Sequence, residues 1–171
     1  MKHGLSRLKK ICRYASNVMT IAGMILAILV IVTIGLGIIS LITGNVSDIL
    51  LSWIGHNGDE GTKIIVAATM ENILILSIGS ITVITIGNVM DSISKENSPF
   101  TELNADRMVL ISMIYFVSSF LLLTLGFIVE RRATESVFIF LGTLLVSVVM
   151  YCLALMCRYG AILQKESDET L

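Results

Sequence analysis

Residues 88–107 read NVMDSISKENSPFTELNADR. Lipid cannot accommodate this stretch: it carries six charged residues, among them Asp91, Lys95 and Arg107, and the single proline of the chain, Pro99. Long apolar runs lie on both sides of it. The stretch therefore separates two hydrophobic hairpins, and the rest of the chain is membrane span, terminus, or connector on the opposite side.

Of the 171 residues, 55% are hydrophobic and 15% charged, with a mean hydropathy of +0.89. Soluble domains carry about a quarter charged residues, so the chain reads as an integral membrane protein. Its charges fall in blocks separated by bilayer-length gaps, and their placement says more than their net value of -1. Cys12, Cys152 and Cys157 are odd in number, lack metal-ligand spacing and lie in or beside apolar runs. A disulfide scaffold or a zinc site does not fit them; small buried hydrophobes do.

Four spans are expected, at about 18–42, 64–87, 108–129 and 137–157, with a polar segment at 88–107 and a tail at 158–171. The first follows a basic start and lies in an uncharged run from residue 14 to residue 47, longer than the ~20 residues a crossing helix needs and too long for the ~7–15-residue core of a cleaved signal. The third and fourth have 22 uncharged residues each between flanking charges. Only a hairpin turn fits between them, so they are antiparallel neighbours. Between the first two spans, SDILLSWIG at 47–55 reads as a short interfacial helix capped by Ser47, apolar at Ile49, Leu50, Trp53 and Ile54, and stopped by Gly55. His56, Asp59 and Glu60 next to it read as a solvated turn on Asn57-Gly58.

Nine Lys and Arg fall on the side of the termini and the polar segment, against Lys63, Arg131 and Arg132 on the other. Positive charge stays inside, so both termini and residues 88–107 are expected to be cytoplasmic. The expected fold is all-α: an integral membrane four-helix bundle, up-and-down, in the plasma membrane of a prokaryote.

One ionisable residue lies well inside an apolar run. Glu71, with Asn72 beside it, is a candidate intramembrane polar site. It falls roughly 10 Å into the second span at ~1.5 Å per residue, shallow enough to snorkel outward or to pair with Lys63, Arg131 or Arg132. Below it Ser77, Gly79, Ser80, Thr82, Thr85 and Gly87 make the lower half of this span rich in small and polar residues, which suits helix packing.

In the polar segment, Ser98 can cap a helix that begins at Pro99, or Thr101 can cap one that begins later. Phe100, Leu103 and Arg107 then follow at helical spacing. Tyr159 and Leu163 in the tail share a face at i, i+4, and the tail, too short to fold alone, has to extend the fourth span, dock on residues 88–107, lie on the bilayer, or wait for a partner.

These two stretches, SPFTELNADRM and RYGAILQKESDETL, resemble those of a family of small four-span prokaryotic membrane proteins of unknown function. In that family a PF-containing loop precedes the third span and a tail of the form YG, LQ, D, T closes the chain. The resemblance rests on Pro99, Phe100, Asn104, Tyr159, Gly160, Leu163, Gln164, Asp168 and Thr170 and covers the second half of the chain. Members are often encoded beside a small helix-turn-helix regulator, which implies a cytoplasmic protein partner. With Leu103 added from its helical spacing, the first eight of these residues and Leu103 form the candidate partner surface.

No catalytic constellation is found: His3 and His56 fall on opposite sides of the membrane, and neither a phosphate-binding glycine loop nor a metalloprotease motif occurs. An enzyme is not expected, no cofactor is implied, and the amino-terminal basic residues suit anionic lipid better than nucleic acid. Expected partners are the bilayer, a DNA-binding regulator and a second copy of the chain. Three functions stay open: a regulatory or interaction protein that tethers such a regulator, a transport or immunity component using Glu71, and a structural bundle.

Overall fold

In hydrocarbon no water is available to peptide groups, so a chain with four bilayer-length apolar runs has to satisfy its backbone within helices. The computed structural model describes residues 2–43, 48–54, 62–96, 98, 100–129 and 133–169. It comprises α1 (Lys2–Thr43), α2 (Asp48–Ile54), α3 (Thr62–Glu96), α4 (Glu102–Ile128) and α5 (Ala133–Glu169). No strand occurs among the described residues. All helices but α2 are long and apolar enough to cross a membrane.

The helices outlast the spans they contain. With 42 residues, α1 is about 63 Å long at ~1.5 Å per residue, twice the ~30 Å hydrocarbon core. Residues 88–107 are mostly helical rather than a loop: α3 runs on to Glu96 and α4 begins at Glu102. A polar helix may continue into water if its side chains support it, and Lys95 bridges Asp91 one turn back at 2.5 Å. Similarly, most of the tail extends α5 as far as Glu169. The start of α4 is set by Thr101, whose side chain accepts from the Asn104 N–H at 3.2 Å. Phe100 therefore precedes the helix and does not share a helical face with Leu103.

The four long helices run up and down in two antiparallel hairpins, α1 on α3 and α4 on α5, joined along a lighter α3–α4 seam. Small residues set the close approaches. Gly23 lies against Ile84, Gly87 against Ser16 and Met19, and Gly126 against Ser136. Hydroxyls tie the helices together: Ser80 donates to the Gly23 carbonyl at 2.9 Å, Ser147 to the Ser112 carbonyl at 2.8 Å, and the Thr82 and Tyr115 hydroxyls are hydrogen-bonded at 3.2 Å. Each such bond in a membrane contributes on average about 0.6 kcal/mol.

The bundle is open. Among the described residues α1 meets neither α4 nor α5, and α3 does not meet α5. The helices thus stand in a row, α1–α3–α4–α5. At the α1–α2 end, Ile54 of the short helix joins Ile65, Ala67, Ala68 and Val129 in a buried apolar cluster, with Leu51 packed against it. Trp53 is exposed, as an interfacial anchor requires. Ser47, Gly55 and the His56, Asp59 and Glu60 turn lie outside the described residues, as do the side chains of Ile49 and Leu50.

Candidate functional site

At the opposite end of the bundle the connector from α3 to α4 folds onto the end of α5. The Ser98 hydroxyl accepts from the Phe100 N–H at 3.1 Å and donates to Oε1 of Gln164 at 2.9 Å. This holds the Phe100 ring on Gly160, so closely that a methyl group at position 160 would lie 2.6 Å from its Cδ1 and 2.7 Å from its Cγ. Glycine is needed here for the approach. A little deeper, Arg158 donates to Asp106 at 2.9 Å and the Cys157 thiol lies 3.8 Å from the Met108 sulfur. The ion pair is exposed on both sides and by itself contributes little, but it lies in line with the other contacts.

Asn104 is the buried polar centre of this end, 0% exposed. Its backbone N–H serves the Thr101 cap, and its Oδ1 accepts from Ser92 at 3.3 Å and from Arg107 at 3.5 Å. One side chain thus links the last turns of α3 to the first turns of α4. Beside it, a groove of about 370 Å³ opens between Ser98, Phe100 and Thr101 on one wall and Ala161, Gln164 and Lys165 on the other.

The structure brings together Phe100, Gly160 and Gln164 of the sequence-derived surface, with Asn104 beneath them. Leu103, Tyr159 and Leu163 are exposed and do not form that contact; none of the three lines the groove. Pro99 and the Asp168 side chain lie outside the described residues, as does Thr170. Sequence reasoning had Ser98 only as a cap. Its second role, and the pairing of Asp106 with Arg158, need the antiparallel register of α4 and α5, and the adjacency of those two helices was the available signal.

Glu71 is 3% exposed and partnered, so its carboxylate faces the protein and does not snorkel. It lies one turn beyond Ala67 and Ala68 of the apolar cluster that α2 helps to cover. Asn72 bonds back to the Ala68 carbonyl at 3.2 Å. Ser77 and Thr82 likewise bond the carbonyls of Ile73 and Ile78. A second groove, about 330 Å³ and largely apolar, lies between α1 and α3 at Ile34, Gly37, Ser40, Thr69 and Met70. Glu71 lines neither groove. Among the described residues no group of three or more His, Cys, Asp or Glu is placed to hold a metal. The chain matches no protein-family model, no curated protein and no solved structure.

Proposed function

We propose that this four-span membrane protein acts by interaction, holding a cytoplasmic helix-turn-helix regulator on the surface formed by the α3–α4 connector and the end of α5. The observation that carries this reading is Phe100 seated on Gly160 with Ser98 bonded to Gln164. It fuses two distant stretches into one surface with a groove and two exposed leucines, Leu103 and Leu163. The resemblance to four-span proteins encoded beside such a regulator supports the choice of partner. The nine-to-three distribution of basic residues supports placing this surface on the cytoplasmic side.

The test identifies the proteins that co-purify with the full-length chain, a helix-turn-helix regulator being the one expected. Phe100→Ala, and separately deletion of residues 164–171, should abolish co-purification of the regulator and leave membrane insertion unchanged. Undiminished binding by both variants would leave a structural bundle as the better reading. Orientation is tested by labelling in intact cells, which should reach a cysteine at position 57 and not one at position 98. A transport or immunity role for Glu71 draws on the burial of its carboxylate.

A further inference from the structure

A row of four helices has two edges. The outer sides of α1 and α5 are both unpartnered within the chain, and over the spans lipid covers such sides. Near the ends of α1 and α5 that share one face of the membrane, both sides remain apolar among charged neighbours. Ile11 is 64% exposed, Tyr14 73% and Tyr159 65%.

The charges beside these residues are of opposite sign. Residues 2–13 carry five basic residues and no acid, and Arg7 and Lys10 are exposed on α1. Residues 165–169 read KESDE, with Glu166 exposed on α5 and Glu169 within 4.0 Å of Lys165 one turn back. On α1 the exposed apolar residues Ile11, Tyr14, Val18, Ile21, Ile25 and Ile28 follow steps of three and four. On α5 Leu145, Val148, Cys152, Leu155, Tyr159 and Ile162 do the same. That spacing is the seam of a left-handed helix pair.

Depth in the bilayer sets which parts of the two seams can meet. Along the row Ser16 and Met19 lie at Gly87, Thr82 at Tyr115, and Met108 at Cys157, so residues near 18 on α1 and near 155 on α5 stand at one level to within a turn. Placing α1 antiparallel to α5 with Val18 opposite Leu155 puts Tyr14 opposite Tyr159 and Arg7 opposite Glu166. The same register puts Gly35, with no neighbour within 4 Å, opposite Phe138, which is exposed. A lipid-covered edge has no reason to match in charge, spacing and shape at the same depth.

We propose that the protein assembles head to tail in the membrane, α1 of one copy against α5 of the next, with Phe138 received at Gly35 and Arg7 meeting Glu166. Such a heterologous contact forms rings if it closes and rows if it does not. The inference is independent of the regulator, because the apolar seam residues Leu155, Tyr159 and Ile162 do not line the groove.

The test is cross-linking of full-length protein in membranes, with Cys12, Cys152 and Cys157 replaced by alanine. Tyr14→Cys co-expressed with Tyr159→Cys should give a cross-linked dimer, whereas either variant alone should not. One chain carrying both should give a ladder of dimers and higher species. Gly35→Leu should lower the dimer yield at least tenfold. Cross-linking by a single variant alone, cross-linking only within one chain, no mixed dimer, or a yield unchanged by Gly35→Leu overturns the proposal.

Discussion

The Ser98 hydroxyl reaches Gln164 at 2.9 Å across 66 positions of sequence and at the same time accepts from the Phe100 N–H. One oxygen therefore fixes both the path of the connector and the side chain it presses onto Gly160. In a cysteine-free background, Ser98→Cys with Gln164→Cys should form a disulfide readily. Adding Gly160→Ala should reduce its yield, because the methyl group displaces the Phe100 ring. If the yield stays the same, Phe100 and Ser98 are not coupled as described.

The α1–α3 contact depends on Gly23 for a different reason. A methyl group there would run into Cγ1 of Ile84 and lie 3.4 Å from its backbone nitrogen, and Ile84 is branched and held in its helix. Gly23→Ala should destabilise the protein in detergent by about 1–3 kcal/mol, the usual cost of overpacking, against a helix-propensity gain of up to about 1 kcal/mol. Gly142→Ala meets nothing within 4 Å and should not destabilise. Equal thermal stability of the two variants would contradict the close approach.

The membrane spans, the hairpin of α4 with α5, and the short helix α2 were legible because each is written in the length of an apolar run or in its flanking residues. Helix ends were not. Hydropathy marks where lipid stops, while α3 stops only after the Asp91–Lys95 pair has carried it further. Of the two starts open for α4, the cap at Thr101 is the one used. The meeting of Phe100 with the tail followed in outline from adjacent antiparallel helices, but Leu103 is exposed and takes no part in it. Glu71 looked shallow enough to snorkel, but it is buried and partnered within the protein. The open row could not be foreseen, since apolar composition does not say which non-consecutive helices touch.

The burial of Glu71 is itself testable. A buried carboxylate with a partner loses more when the partner is stranded than when the pair is kept in neutral form. Glu71→Gln should insert normally and lose little stability, and Glu71→Leu should lose about 1–3 kcal/mol by thermal unfolding in detergent. If the leucine variant matched or exceeded the parent, the side chain would be at the lipid surface.

Asn104 makes the sharpest prediction because it joins the two hairpins. It is fully buried, and its Oδ1 accepts from Ser92 of α3 and Arg107 of α4, in a seam that also holds the Thr82–Tyr115 hydrogen bond. Asn104→Ala removes the acceptor and leaves the Ser92 hydroxyl with only its own helix's Asn88 carbonyl. It also leaves space where polar atoms had been satisfied, at a cost of about 1–3 kcal/mol. Asn104→Asp keeps the acceptor and adds a charge within reach of Arg107, so it should retain more of the stability. The expected order in thermal unfolding is parent, aspartate, alanine, and protease cleavage at 97–101 should quicken in the same order. A loss of stability in the alanine variant without faster cleavage would mean that Asn104 supports its own helix only. In that case the α3–α4 seam is held mainly by Thr82 and Tyr115, and a Tyr115→Phe variant should show the faster cleavage instead.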